Sequence, residues 1–143
     1  YIASLIDFLA SRKVKIFIYQ TDYIDNTVMI KKAKLIYLKN NKKGFLRNFL
    51  LIYSIRNQLK KDRIDYIISF LPKVNCITAI ANYGLKTQLT VCERNDPKRQ
   101  KLPLAWSILR ILSYNLAENI TANSKYALQI LKSWFPLKNK FYY

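Results

Sequence analysis

Tyr66-Ile-Ile-Ser-Phe-Leu-Pro-Lys-Val-Asn-Cys-Ile-Thr-Ala-Ile-Ala-Asn-Tyr-Gly-Leu-Lys-Thr-Gln-Leu-Thr-Val-Cys92 carries the pattern of a complete supersecondary unit. It opens on a run of β-favouring residues, Tyr66–Phe70, and closes on another, Gln88–Cys92. Between them Val74–Tyr83 has helical spacing, and Gly84 follows as a residue able to take the left-handed conformation that ends helices. Strand, helix and strand joined by a few residues make a parallel crossover unit. Because Tyr66–Phe70 lacks polar alternation, it is expected in the middle of a parallel sheet covered by helices.

The same alternation continues on both sides. Upstream, Ile2, Leu5, Ile6 and Leu9 recur at helical spacing, and that helix ends near Ser11–Lys13. Val14–Tyr19 reads as a strand, Thr21–Asn26 as a turn and Leu35–Leu38 as a second apolar run, before Asn40–Gly44 breaks the chain. From Phe45 to Lys61 the spacing is helical, with Arg47, Ser54, Gln58 and Lys61 on a polar stripe and Phe45, Phe49, Ile52, Ile55 and Leu59 opposite. Downstream, Pro103 begins a helix with Leu104, Ile108, Ile111 and Leu112 on one apolar face. Asn119–Ala122 is a short strand, and Asn123 or Ser124 caps a helix that runs to about Phe135, where Pro136 stops it. Lys140–Tyr143 opens one more strand. The expectation is an α/β, Rossmann-like parallel sheet with helices on both faces. With no internal repeat or interior linker, residues 1–143 read as a single domain.

The composition, 51% hydrophobic and 23% charged over 143 residues, fits a folded domain rather than a disordered tail. No apolar run approaches the roughly 20 residues that span a bilayer. Without histidine, and with Cys76 and Cys92 far apart and outside any CxxC pair, the chain offers no zinc site and no Ser-His or Cys-His pair. The cysteines read as reduced core residues. The formal net charge is +17, from 25 Lys+Arg against 8 Asp+Glu. Such a field favours anionic partners. A biased, Lys- and Asn-rich composition that decorates solvated faces accounts for it equally well.

Ligands of open parallel sheets bind beyond the carboxyl ends of the strands. That rule selects Ser69, the loop from Glu93 through Arg94 and Asn95 to Pro97, and Ser124. Arginine forks suit phosphate or carboxylate, while Asn and Glu suit sugar hydroxyls. Alternatively Glu93 and Arg94 pair with each other or cap the following helix, Ser69 simply packs, and Ser124 is an N-cap. No GxGxxG or GxxxxGK[ST] phosphate loop occurs.

Three segments carry a resemblance to the family 4 glycosyltransferases, which have the GT-B fold. Leu9-Ala-Ser-Arg12 before the first strand resembles the family's L-A-x-x-L-x-x-R-G-H-x-V region, with Lys13 where Gly-His is usual. Gly84-Leu-Lys-Thr-Gln-Leu-Thr-Val-Cys-Glu-Arg-Asn-Asp-Pro97 resembles a segment ending S-E-R-N-D-P in members that build bacterial surface glycans. Here Thr87 stands for the usual proline and Cys92 for the serine. Ala117-Glu-Asn-Ile-Thr-Ala-Asn-Ser124 resembles A-D-x-I-x-x-N-S. The resemblance implies the N-terminal, acceptor-side domain of a retaining, metal-independent hexosyltransferase. It implies an α/β domain truncated at both ends and lacking its first strand and Gly-rich loop, hence inactive alone. The nucleotide-sugar donor would bind mainly the C-terminal Rossmann domain, with no other cofactor. Glu93, Arg94, Asn95, Ser69 and Ser124 become substrate-binding candidates; no catalytic residue is assigned.

Between Lys31 and Arg63 lie eleven Lys or Arg residues against one acid, Asp62. In an acceptor-side domain, Lys42, Lys43, Arg47, Lys60 and Lys61 would dock on an anionic membrane bearing a lipid-linked or glycan acceptor. A solvated basic face is the competing reading. The expected location is the cytoplasm, peripheral on the inner face of the cell membrane. A different class of function, a basic α/β module binding nucleic acid, fits the charge but lacks any nucleic-acid motif.

Overall fold

The computed structural model describes residues 2–21, 33–38, 44–135 and 141–142. The expected turn residues 22–26, together with Lys42, Lys43, Pro136 and Lys140, lie outside them. The chain divides into two compact units, Tyr1–Ile55 and Arg56–Tyr143.

In the first unit, helix α1 (Ile2–Ser11) leads to strand β1 (Phe17–Gln20), which pairs in parallel with β2 (Lys34–Tyr37), Phe17 opposite Lys34 and Gln20 opposite Tyr37. Helix α2 (Gly44–Asp62) begins in this unit and ends in the second. Its buried positions are Leu51, Ile55 and Leu59, one row at i, i+4, i+8. The sequence-based apolar face was partly misplaced. Phe45 and Phe49, assigned to it, are 85% and 59% exposed.

The second unit holds the quoted crossover. Strand β3 (Tyr66–Phe70), helix α3 (Pro72–Asn82), β4 (Gln88–Glu93), α4 (Leu104–Tyr114), β5 (Asn119–Ala122), α5 (Lys125–Trp134) and β6 (Phe141–Tyr142) follow in order. The four strands are parallel in the order β3-β4-β5-β6, with Phe70 opposite Cys92 and Cys92 opposite Thr121. The expected α/β class of parallel sheets flanked by helices is what forms. Each strand sits beside its sequence neighbour because each crossover is short, which is the commonest economy of connection. Gly84 does what its position suggested. Tyr83 (φ −52°, ψ 126°) and Gly84 (φ 72°) are the central residues of a type II turn, closed by the Leu85 N–H on the Asn82 carbonyl at 2.8 Å.

The core of this unit gathers Leu89 and Val91 of β4, Ile120 and Ala122 of β5, Cys76 and Ala79 of α3, Tyr114 and Ala117, and Ala127, Leu131 and Phe135 at α5. On β4 burial alternates: Leu89, Val91 and Glu93 are buried while Thr90 and Cys92 are half-buried. Two expectations are corrected. Among the described strands β3 pairs with β4 alone, at one end of the four-stranded sheet instead of its middle, and its Tyr66 is 71% exposed. On α4 the apolar face points outward: Leu104, Ile108, Ile111 and Leu112 are exposed, and the buried residues are Arg110, Ser113 and Tyr114. None of the described helices is long and apolar enough to cross a membrane.

Candidate functional site

Because β3, β4 and β5 are adjacent and parallel, their carboxyl ends share one edge. That edge brings together Ser69, the Glu93–Pro97 loop and Ser124, which are far apart in sequence. The turn after β3 is forced: Leu71 takes φ 75° and ψ 132°, a region costly for a side chain, and Pro72 starts α3. Such backbone costs about 1–3 kcal/mol and persists where the surroundings over-determine it.

Arg94 lies over the Phe70 ring, 5.3 Å from its centroid, and its carbonyl accepts from Asn123 Nδ2 at 2.7 Å. These contacts tie the loop after β4 to the ends of both neighbouring strands. Asn95 is exposed. Asp96 shapes the next turn: its Oδ1 accepts from the Lys98 N–H at 2.9 Å and its Oδ2 lies 3.5 Å from Arg99 Nε. Ser124 caps α5, accepting from the Ala127 N–H at 3.1 Å. Ser69 is buried, with its hydroxyl 3.5 Å from Thr78 Oγ1 of α3.

Glu93 is placed differently from its loop neighbours. It is 1% exposed and points into the unit, where Oε2 accepts from the Tyr114 hydroxyl at 3.0 Å and lies 3.6 Å from Arg110 Nη1. Asn75 Nδ2 donates to the Tyr114 oxygen at 2.9 Å and to the Cys92 carbonyl at 3.2 Å. Arg110 Nη1 also donates to Gln100 Oε1 at 3.1 Å, and its guanidinium covers the Trp134 ring at 4.7 Å. The network therefore grips the loop at both ends, through Glu93 and Gln100. A buried pair of this kind is expensive to break, about 3–5 kcal/mol, because the surviving charge is stranded.

Burial pushes the Glu93 carboxyl above its ordinary value; the Tyr114 hydroxyl, Arg110 and the backbone amides of Asn95 and Arg94 pull it back. The Tyr114 hydroxyl is raised strongly, by burial first and by the Glu93 charge next. Both cysteines are free thiols raised by burial. Neither has the electropositive, exposed setting of a reactive thiol. Among the described residues no group of three His, Cys, Asp or Glu side chains is placed to hold a metal.

Sequence reasoning missed Asn75, Arg110 and Tyr114. The available signal was Arg110 inside the apolar run Leu104–Tyr114. Ser107, Arg110, Ser113 and Tyr114 form a polar stripe indistinguishable by periodicity from a solvent face. Of the basic docking candidates, Lys60 and Lys61 are exposed at the end of α2, Arg47 is half-buried, and Lys42 and Lys43 lie outside the described residues.

What the edge offers chemically is an arginine fork, an exposed carboxamide and a capped helix start, with a buried ion pair behind them. Such a surface can bind hydroxyls and anionic oxygen. No family model matches the chain. Over 73 residues, 51% of its length, the chain is 33% identical to a Campylobacter jejuni protein named GalNAc-alpha-(1->4)-GalNAc-alpha-(1->3)-diNAcBac-PP-undecaprenol alpha-1,4-N-acetyl-D-galactosaminyltransferase. The match spans 20% of that protein's length. The similarity supports a relationship to a glycosyltransferase, on a parallel α/β scaffold whose strand ends carry the candidate residues.

Proposed function

We propose that this chain is the N-terminal, acceptor-side domain of a nucleotide-sugar-dependent, retaining hexosyltransferase of the GT-B fold and family 4. Its acceptor is a lipid-linked saccharide of bacterial surface glycan synthesis. The observation that carries this reading is the 33% identity to a transferase whose name specifies an undecaprenol-linked saccharide. Arg94 and Asn95, at the shared strand edge, face the transferring sugar or the acceptor, and Ser124 adds the amide end of α5. Glu93 acts behind them as a positioning residue. The donor nucleotide binds a second Rossmann domain, and no catalytic residue is assigned to this chain.

The basic residues Lys60 and Lys61, with Arg47, Lys42 and Lys43, hold the domain on the anionic inner face of the cell membrane. Each cation near such a surface contributes about 1 kcal/mol at best, so a few suffice for reversible docking.

The test is transfer by the full-length protein from a panel of nucleotide sugars to an undecaprenyl-diphosphate-linked saccharide. Arg94→Ala and Asn95→Ala should each lower kcat/KM by about 10-fold or more, the worth of one hydrogen bond to a charged or sugar oxygen, with an unchanged unfolding midpoint in Asn95→Ala and a small drop in Arg94→Ala, which also loses its contact with Phe70. Wild-type rates in both variants would remove the edge from the site. No transfer from any donor, with tight salt-sensitive binding to oligonucleotides, would replace the transferase reading by the nucleic-acid one.

A further inference from the structure

Helix α4 turns outward the apolar face read from its sequence, and the consequence is an exposed aliphatic surface. Leu104, Ile108, Ile111 and Leu112 are 77%, 51%, 48% and 62% exposed, and Leu116, one turn beyond, is 39% exposed. Leu104, Ile108, Ile111 and Leu112, at i, i+4, i+7 and i+8, form one stripe, and Leu116 follows in the turn after the helix. The side that packs inward carries Trp106 and Leu109 beside Arg110, Ser113 and Tyr114, and Arg110 and Tyr114 there meet Glu93. A stripe of this length on a folded unit marks a contact surface.

Three observations select its occupant. Just ahead of the helix, Lys98, Arg99 and Lys101 are exposed. From Pro97 to Ala117 there is no acid, and Asp96 is engaged by the Lys98 N–H and by Arg99, so that Lys98 and Lys101 carry the excess positive charge. The stripe is purely Leu and Ile, whereas protein–protein hot spots are dominated by Trp, Tyr and Arg. A second copy would bring its own cationic rim against this one, in a chain of net charge +17, and like charges across an interface repel. Hydrocarbon beneath anionic headgroups suits both parts, as it does for interfacial amphipathic helices.

We infer that α4 is a membrane-contact element, its stripe from Leu104 to Leu112, followed by Leu116, seated at the headgroup–acyl boundary of an anionic phospholipid surface with Lys98 and Lys101 on the lipid phosphates. This goes beyond the docking role given to Lys60 and Lys61 on α2, stands on different residues and needs no transferase activity. It gives a lipid-linked acceptor a surface from which to present its sugar.

The experiment is co-sedimentation of the full-length protein with vesicles of phosphatidylcholine alone and of phosphatidylcholine with phosphatidylglycerol. The expected result is binding to the anionic vesicles, weakened about 10-fold or more in an Ile108→Asp/Leu112→Asp double variant with an unchanged circular dichroism spectrum. A Lys60→Glu/Lys61→Glu variant forms the separate arm. If it alone loses binding while the α4 variant binds like wild type, α2 docks and the inference fails. Absence of binding by the wild type also overturns it. Sedimentation velocity decides a further outcome: a wild-type dimer that the α4 variant dissociates, with vesicle binding unaltered, assigns the stripe to a second copy. A lowered unfolding midpoint in the α4 variant, again with unaltered vesicle binding, places another part of the same protein over it.

Discussion

A carboxylate with 1% of its surface exposed stays ionised only if its surroundings replace water. At Glu93 the Tyr114 hydroxyl, the Arg110 guanidinium and two amides do so in part, yet burial keeps its pKa raised. The sign follows by linkage. A raised native pKa means that the fold favours the protonated form. The stability this contributes is fully present below the unfolded-state value, about 4.3 for glutamate, and is lost as pH rises through the raised native value. Glu93→Gln keeps an acceptor for Tyr114 and cannot titrate. Urea unfolding from about pH 4 to about pH 8 should therefore show the wild type losing stability relative to Glu93→Gln as pH rises. The opposite slope would mean that Arg110 outweighs desolvation. Glu93 was legible in the sequence as a notable residue, from its place after a buried strand. Its inward direction was not, because that depends on Arg110 and Tyr114, 17 and 21 positions away on α4.

Elements end here without the usual residue. After α2 the Arg63 N–H donates to the Lys60 carbonyl at 3.3 Å and the Ile64 N–H to the Leu59 carbonyl at 3.2 Å, the paired bonds of a Schellman ending. The residue that must turn left-handed is Arg63, at φ 51°; Lys13 does the same after α1, at φ 60°. With two glycines in the chain, a basic residue occupies a place where glycine has no Cβ penalty. Arg63→Gly should raise stability by about 1 kcal/mol, read as a higher urea midpoint with an unchanged m-value. Element types and most boundaries were readable: the strands Tyr66–Phe70 and Asn119–Ala122 fall where the residue pattern places them. Both are local properties, set by β propensity and by turn residues within a few positions.

At the scale of the whole molecule, sheet order has a consequence that single elements do not. With β3 at the edge of the described four-stranded sheet, its outward backbone groups and the exposed Tyr66 and Ile68 form an adhesive margin. Ile68→Lys, a gatekeeper charge on a residue already 43% exposed, should slow aggregation of the isolated chain with little loss of stability. Light scattering during incubation at 37 °C measures it; an unchanged rate would locate the sticky surface elsewhere. The α/β class, the parallel crossovers and the strand ends at which a site would form follow from residue pattern alone, because strand and helix periods and short connections are local signals. Which strand lies at the end of the described sheet and which face of α4 turns inward depend on contacts between residues far apart in the chain. Periodicity reports that a helix has two faces and is silent on which neighbour each will meet. Here a buried carboxylate at the end of β4 meets Arg110 and Tyr114 in the core, while Leu104, Ile108, Ile111 and Leu112 of α4 stay outside.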